Sequence, residues 1–201
     1  MKAIIFDYDD TLVKTRECKC SAIRETGKRS YNLEISDMDI KKYWGLPFKE
    51  MISGCLNNSD KVQNLINNYY SMTSEFPMVA YPDALDTINN LLEKYLIGIL
   101  TASNRKLVID DLTLLGFPVE KFFFIQTAED TEFHKPDPKV FKPIINRAKE
   151  LKIKKGDILY VGDSTKESIA ARKANLDFVG ILHGTNSKAE FNSISAKTIE
   201  A

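Results

Sequence analysis

The stretch Ala3-Ile4-Ile5-Phe6-Asp7-Tyr8-Asp9-Asp10-Thr11-Leu12 decides how the rest of the chain is read. Four consecutive apolar residues form a strand covered on both faces, because a strand with one wet face alternates apolar and polar residues. That run ends in three carboxylates within four residues. Like charges that close raise one another's pKa and strain the fold unless a positive group lies among them. A plain turn uses a single Asp or Asn. A hard divalent cation, which takes oxygen ligands, resolves the crowding most simply, and one carboxylate is then free for chemistry.

Outward from this junction, short apolar runs alternate with helical patterns. Strand-like runs cover Ala3–Phe6, Leu96–Leu100, Phe122–Ile125, Ile158–Val161 and Phe178–Leu182. One amphipathic segment starts at Pro82 and carries Leu85, Ile88, Leu91, Leu92 and Tyr95 at helical spacing. A second carries Val108, Leu112 and Leu115 and stops at Gly116; a third starts near Pro138; a fourth runs from about Thr165 to Ala174. Apolar strands separated by helices predict an α/β fold, a parallel sheet with helices on both faces. Residues 15–80 break the alternation with helical patterns only, over Thr15–Tyr31, Asp37–Tyr43, Phe48–Leu56 and around Val62, Leu65, Ile66 and Tyr69. The expected organisation is an α/β core of residues 1–14 and 81–201, interrupted by a small helical domain of residues 15–80. The polar tail from Thr185 offers only Thr198-Ile199 as a strand remnant.

Composition narrows the class. The chain has 28 basic and 28 acidic side chains, so no overall field draws it to nucleic acid or to an anionic membrane. Its apolar runs are too short to span a bilayer, and Met1-Lys2-Ala3 leads into the first strand without a signal-peptide pattern. The cysteines, Cys18, Cys20 and Cys55, are odd in number, and Cys18-Lys19-Cys20 lacks a second ligand pair. The expected compartment is the reducing cytoplasm. No signature of oligomeric state is present.

Four chemical groups stand at strand ends or in the loops that follow them: Asp7/Asp9/Thr11; Thr101-Ala102-Ser103; Lys135; and Gly162-Asp163-Ser164 with Glu167 one helical turn on. In an open parallel sheet, ligands bind outside the carboxyl ends of the strands, so the four converge on one crevice. Carboxylates, hydroxyls and a lysine there suit phosphoryl transfer. Asp7 and Asp163 are candidates to hold Mg²⁺, Thr101 to bind phosphate oxygens, and Lys135 to counter a trigonal phosphoryl group. Singly each is ordinary: Gly-Asp-Ser is a common turn or cap, and a lysine before proline is usually solvated. Their order and strand-end placement together carry the reading.

With these motifs in place the chain resembles the haloacid dehalogenase-like superfamily of phosphohydrolases, from Lys2 to about Gly184, and within it the phosphoglycolate phosphatase and β-phosphoglucomutase group. Asp7-Tyr8-Asp9-Asp10-Thr11-Leu12 matches the first motif, Thr101 the second, Lys135 the third, and Gly162-Asp163-Ser164 with Glu167 the fourth. The resemblance implies a Rossmann-like core with an α-helical cap. It implies Asp7 as nucleophile and metal ligand, and Asp9 as acid/base that also gives its backbone carbonyl to Mg²⁺. Thr101 and Lys135 would bind the phosphoryl group, and Thr11, Ala102 and Ser103 would line the substrate site. Asp163 would be the second side chain on Mg²⁺, and Glu167 a ligand or an orienting carboxylate. Two departures stand out: Asp10 occupies a position that is often Gly, and Glu167 one that is often Asp. Trp44 and Gly45 are candidates for a cap loop that reaches the site, although for Trp44 the favoured reading is a core residue of the helical domain.

The expected activity is Mg²⁺-dependent hydrolysis of a small-molecule phosphate ester through an aspartyl phosphate, with the cap closing over the site. Asp9 argues for phosphoester cleavage, because dehalogenating relatives carry Tyr there and phosphonate-cleaving relatives Ala. The alternatives are a phosphosugar mutase, which Thr11 disfavours, and a non-catalytic binding protein on the same scaffold. His134 is read as an exposed or packing residue and His183 as a possible neighbour of the crevice. Arg16, Arg24 and Arg29 are read mainly as solvated helix-face residues.

Overall fold

A computed structural model describes residues 1–44 and 46–200. The chain divides into two compact units, one of Met1–Lys14 and the segment from Val79 onward, the other of Thr15–Met78. The returning segment joins the first unit two residues before Tyr81. The reason is local pairing: Lys14 N donates to Val79 O at 2.8 Å and Tyr81 N to Leu12 O at 3.0 Å, and Val13 bridges Ala80 antiparallel.

The first unit is a parallel sheet of six strands with helices between them. The elements are β1 (Ala3–Phe6), α5 (Ala84–Leu92), β2 (Leu96–Leu100), α6 (Arg105–Leu114), β3 (Phe124–Gln126), α7 (Lys142–Glu150), β4 (Ile158–Gly162), α8 (Thr165–Lys173), β5 (Asp177–Ile181), α9 (Lys188–Ser193) and β6 (Lys197–Ile199), with the sheet ordered β3-β2-β1-β4-β5-β6. Strand β1 lies centrally, with Ile4 opposite Ile97 of β2 and Leu159 of β4. Ala3 and Ile5 share one buried cluster with Phe141, Ile144, Ala148, Tyr160 and Ala171. Side chains alternate along a strand, so Ile4 and Phe6 point to the other face, where they too are buried. Each such side chain contributes roughly 1.5–3 kcal/mol, which explains why β1 is apolar without alternation.

Several element boundaries differ from the sequence expectation. Pro82 lies in a turn, and the helix starts at Ala84 after Ala84 N bonds Tyr81 O. The third strand begins at Phe124, because Phe122 closes a 3₁₀ turn over Val119–Lys121. Residues Pro138–Phe141 form a 3₁₀ turn ahead of α7. Pro143 removes one amide from that entry, and the buried Gln126 side chain serves its neighbour by accepting from Ile144 N at 3.1 Å. The tail after Thr185 is not merely polar: α9 buries Phe191 completely and β6 pairs with β5.

The second unit comprises α1 (Thr15–Tyr31), α2 (Asp37–Tyr43), α3 (Phe48–Cys55) and α4 (Val62–Thr73). Its core contains Ile23, Ile40, Ile52, Leu56, Leu65 and Tyr69. Ser36 and Asp39 cap α2 reciprocally. Asn57 and Asn58 follow α3 at φ of 54° and 52°, a left-handed region that Asn tolerates. Arg29 pairs with Glu25 and with Glu75, and Arg24 with Asp37, so these two arginines are engaged within the unit. The three cysteines are free thiols. No helix among the described residues is long and apolar enough to cross a membrane.

Candidate active site

The β1 ladder continues one residue past the strand, where Asp7 N donates to Val161 O at 2.8 Å. This places Asp7 where the sheet order turns back, with β1 and β4 neighbours and their connections running to opposite sides. Ligands of doubly wound sheets bind at such a point. The chain then turns sharply: Tyr8 O accepts from the backbone N–H groups of Thr11, Leu12 and Val13. The Tyr8 side chain is buried and anchors the turn to α6, donating to Asp111 Oδ2 at 2.8 Å. Asp10 adopts φ of 52°. Glycine adopts that left-handed backbone without strain. The Asp10 side chain is buried rather than solvent-facing.

Lys135 Nζ lies 2.5 Å from Asp7 Oδ1 and 2.5 Å from Glu167 Oε1. Asp9 faces the end of β2, where Thr101 Oγ1 and Ser103 Oγ both donate to Asp9 Oδ2 at 2.9 Å. Ser103 N in turn donates to Thr101 Oγ1 at 3.0 Å. Glu167 sits in the first turn of α8 and forms a capping box with Ser164. Its Oε2 accepts from Ser164 N at 3.0 Å, while Oε1 accepts from Tyr160 Oη at 2.8 Å as well as from Lys135. Asp163 Oδ2 accepts from Thr185 N at 2.5 Å.

The electrostatics are unbalanced in a specific way. Asp7, Asp163 and Glu167 each offer a buried carboxylate oxygen, all within 4.8 Å of one another. One ammonium, Lys135, pairs with two of these carboxylates, Asp7 and Glu167. Burial, then the Glu167 charge, holds the Asp7 carboxyl well above its usual range despite Lys135. Burial and Glu167 likewise push Asp163 up to about 7. Burial works against the Lys135 ammonium, but Asp7 and Glu167 outweigh it and hold its pKa above the ordinary lysine value. Three negative groups and one positive leave room for two further positive charges. The donors on offer are hard oxygens, so the residues fit a divalent cation such as Mg²⁺.

Asp7, Asp9, Thr101, Ser103, Lys135, Asp163 and Glu167 are thus linked by contacts or lie within one acidic cluster. Ala102 is exposed beside them. Thr11 is buried, and its hydroxyl finds no hydrogen-bond partner among the described residues. Trp44 belongs to the helical unit, packed against its core with the Arg16 guanidinium 5.3 Å from its ring; Gly45 lies outside the described residues. His134 is exposed. His183 Nε2 is 3.2 Å from Thr11 O, and its ring stacks on Tyr81 with centroids 3.5 Å apart.

Sequence reasoning passed over three contributors. Tyr160 is the polar-tipped residue of an otherwise apolar strand, and a buried phenol needs a partner. That signal was present. Tyr8, between two motif carboxylates, carries the same signal. The loop Gly184-Thr185-Asn186 braces Asp163 and the start of α8: Asn186 N donates to Asp163 O and Thr165 N to Asn186 Oδ1. Backbone donors of that kind leave no mark in a sequence.

Comparison with known proteins gives a consistent family. Residues 4–181 match the model of the haloacid dehalogenase-like hydrolases. A PpaX protein of Clostridium perfringens, assigned as a pyrophosphatase, is 27% identical over 189 residues, covering 91% of this chain and 85% of the relative. Among solved structures, a Bacteroides fragilis protein assigned to the haloacid dehalogenase-like hydrolases superposes with a TM-score of 0.80 at 26% identity, covering 100% of this chain and 96% of that one. A Thermotoga maritima protein assigned as a β-phosphoglucomutase shares the fold, with a TM-score of 0.80 at 18% identity, covering 100% and 94%.

Proposed function

The chain belongs to the haloacid dehalogenase-like hydrolases, and from that membership we propose that it is a Mg²⁺-dependent phosphatase acting on a small phosphorylated metabolite through an aspartyl phosphate. The observation that carries the reading is the pairing of Asp7 with Lys135 at the end of the central strand, two residues from an Asp9 held by Thr101 and Ser103. Asp7 attacks phosphorus, its carboxylate oxygen forming the new O–P bond. As the ester P–O bond breaks, Asp9 gives its proton to the leaving oxygen. Asp9 then takes a proton from water, which attacks the aspartyl phosphate, releases inorganic phosphate and restores Asp7. Lys135 lies against the attacking carboxylate and neutralises charge gathering on the phosphoryl oxygens. Asp7 and Asp163 would hold the cation, whose chemistry there is to offset the repulsion between carboxylate and phosphate. Glu167, with both oxygens engaged, holds Lys135.

The likeness to PpaX favours pyrophosphate as one substrate to examine. The three free thiols suit a reducing cytoplasm. The test is a screen over sugar phosphates, nucleotides, phosphoglycolate and pyrophosphate with and without Mg²⁺, reading inorganic phosphate. Phosphate release that disappears in Asp7→Asn supports the proposal. Robust turnover in Asp7→Asn overturns the nucleophile assignment, and transfer of the phosphoryl group to another sugar hydroxyl without phosphate release makes the protein a mutase.

A further inference from the structure

Tyr160 occupies the middle of β4 and is fully buried. Burial, then the adjacent Glu167 charge, keeps its phenol protonated well above the usual range, so its hydroxyl is a donor. That donor goes to Glu167 Oε1 at 2.8 Å, the same oxygen that receives Lys135 Nζ at 2.5 Å. The Tyr160 ring also lies beside the ammonium, with Nζ 5.5 Å from its centroid, within the range of a cation–π attraction. The ring itself is held by Phe141, edge-on at 4.9 Å, and by Phe178 at 6.0 Å.

Lys135 comes from a loop on a flexible four-carbon stem and faces two carboxylates that compete for it. A carboxylate oxygen already accepting a strong hydrogen bond attracts a second donor less. Ser164 N occupies Oε2 and limits rotation of the Glu167 group. We propose that Tyr160 is a positioning residue: by occupying Glu167 Oε1 and flanking the ammonium, it keeps Glu167 from drawing Lys135 away from Asp7. It touches neither substrate nor the reacting atoms and acts through Glu167 and Lys135. This role rests on the reading of Asp7 and Lys135 given above.

Tyr160→Phe removes the hydroxyl and keeps the ring. Crystal structures of the metal-free wild type and variant give the reading that needs no turnover. Lys135 Nζ is expected to leave hydrogen-bond distance of Asp7 Oδ1 in the variant; an unchanged ion pair overturns the proposal. Kinetics of phosphate release form the second reading, in a double-mutant cycle with Glu167→Gln. Tyr160→Phe is expected to lower kcat/KM about tenfold in the wild type and by under about twofold in the Glu167→Gln background. Equal losses in both backgrounds, or no loss in the wild type, overturn it. A donor restored by 4-aminophenylalanine at position 160 is expected to recover at least half of the lost activity, whereas a merely structural hydroxyl predicts none. Absence of turnover in the wild type would count against the proposed function, while the crystallographic comparison would still decide the role of Tyr160.

Discussion

Thr101 Oγ1 donates to Asp9 Oδ2 across 2.9 Å. The hydroxyl at the end of β2 therefore gives its one proton to a carboxylate, and would donate to a phosphate only by giving up that bond. Ser103 Oγ reaches the same oxygen at 2.9 Å, and Ser103 N closes back onto Thr101 Oγ1 at 3.0 Å. These contacts orient the group proposed to move the proton. A neutral hydrogen bond of this kind is worth about 1 kcal/mol net, and one to a charged partner up to about 3 kcal/mol.

Thr101→Val removes the donor to Asp9 and the acceptor for Ser103 N at nearly constant volume. Its kcat for a phosphate ester is expected to fall about tenfold to a hundredfold. Ser103→Ala, which leaves Thr101 in place, is expected to lose about tenfold or less. Steady-state kinetics on the two single variants and the pair check this. A Thr101→Val enzyme with wild-type kcat would remove Thr101 from the proton-transfer machinery.

The pH dependence of stability follows from the crowded carboxyls. In the metal-free protein Asp163 is pushed up from its ordinary 3.8 to about 7, by burial and then by Glu167. Asp7 is raised in the same direction. A carboxyl that holds its proton more tightly folded than unfolded stabilises the fold at low pH. That contribution is lost as pH rises from about 4 to about 7, at about 1.4 kcal/mol for each pH unit crossed. Above that window Asp163 is ionised in both states and its part of the slope vanishes. The metal-free protein is therefore expected to melt at a lower temperature at pH 7.5 than at pH 5. A divalent cation offsets the charges, so Mg²⁺ is expected to raise the melting temperature more at pH 7.5. Thermal melts with Mg²⁺ or with chelator check this, and equal Mg²⁺ shifts at the two pH values would contradict it.

What was legible in the sequence and what was not divides along physical lines. Strand β1 and the helices of the second unit are written locally, in unbroken apolar runs, in helical spacing and in caps such as Ser36. The meeting of Asp7 with Lys135, 128 residues apart, followed from their places at a strand end and in the loop after another strand, because every strand of a parallel sheet points the same way. Boundaries failed where one residue competed with a pattern. Phe122 satisfied a turn instead of a strand, and Pro82 gave up the first helical position to a turn ahead of Ala84. The tail was undervalued because its structure depends on one residue, Phe191, finding a buried site beside β5. Tyr160 was passed over because its value lies in a partner that no local pattern names.

Asp10 separates backbone from side chain. Its φ of 52° suits glycine, and a left-handed residue with a side chain costs about 1–2 kcal/mol. Asp10→Gly relieves that cost and also removes a buried carboxylate that contributes to the high pKa of Asp163. Turnover is expected to stay within about threefold, under about 0.7 kcal/mol of barrier, since Asp10 has no part in the proposed chemistry. Asp10→Val keeps the backbone demand, adds a β-branch, and is expected to lower the melting temperature. A tenfold or larger fall in kcat for Asp10→Gly, on the scale of a lost charged hydrogen bond of roughly 1.5–3 kcal/mol, would show that its carboxylate has a catalytic task.

Gly184 tests whether the loop after β5 sets the position of Asp163. A Cβ at residue 184 would stand 2.5 Å from Asp163 Oδ2 and closer still to Asp163 Cβ. Both Cβ positions are set by the backbone, so no side-chain rotation relieves the overlap and either the loop or Asp163 must move. The loop is tied by Thr185 N to the Asp163 carboxylate and by Asn186 to both Asp163 O and the first amide of α8. Movement of the loop therefore drags the carboxylate with it. Gly184→Ala is expected to fold, because the sheet and its buried faces are untouched, and to bind Mg²⁺ at least about tenfold more weakly, the scale seen when a group supporting a metal ligand is lost. Calorimetric titration of the chelated protein measures this without any substrate. An unchanged Mg²⁺ affinity in a folded Gly184→Ala protein would show that Asp163 does not depend on this loop, or that it does not hold the cation.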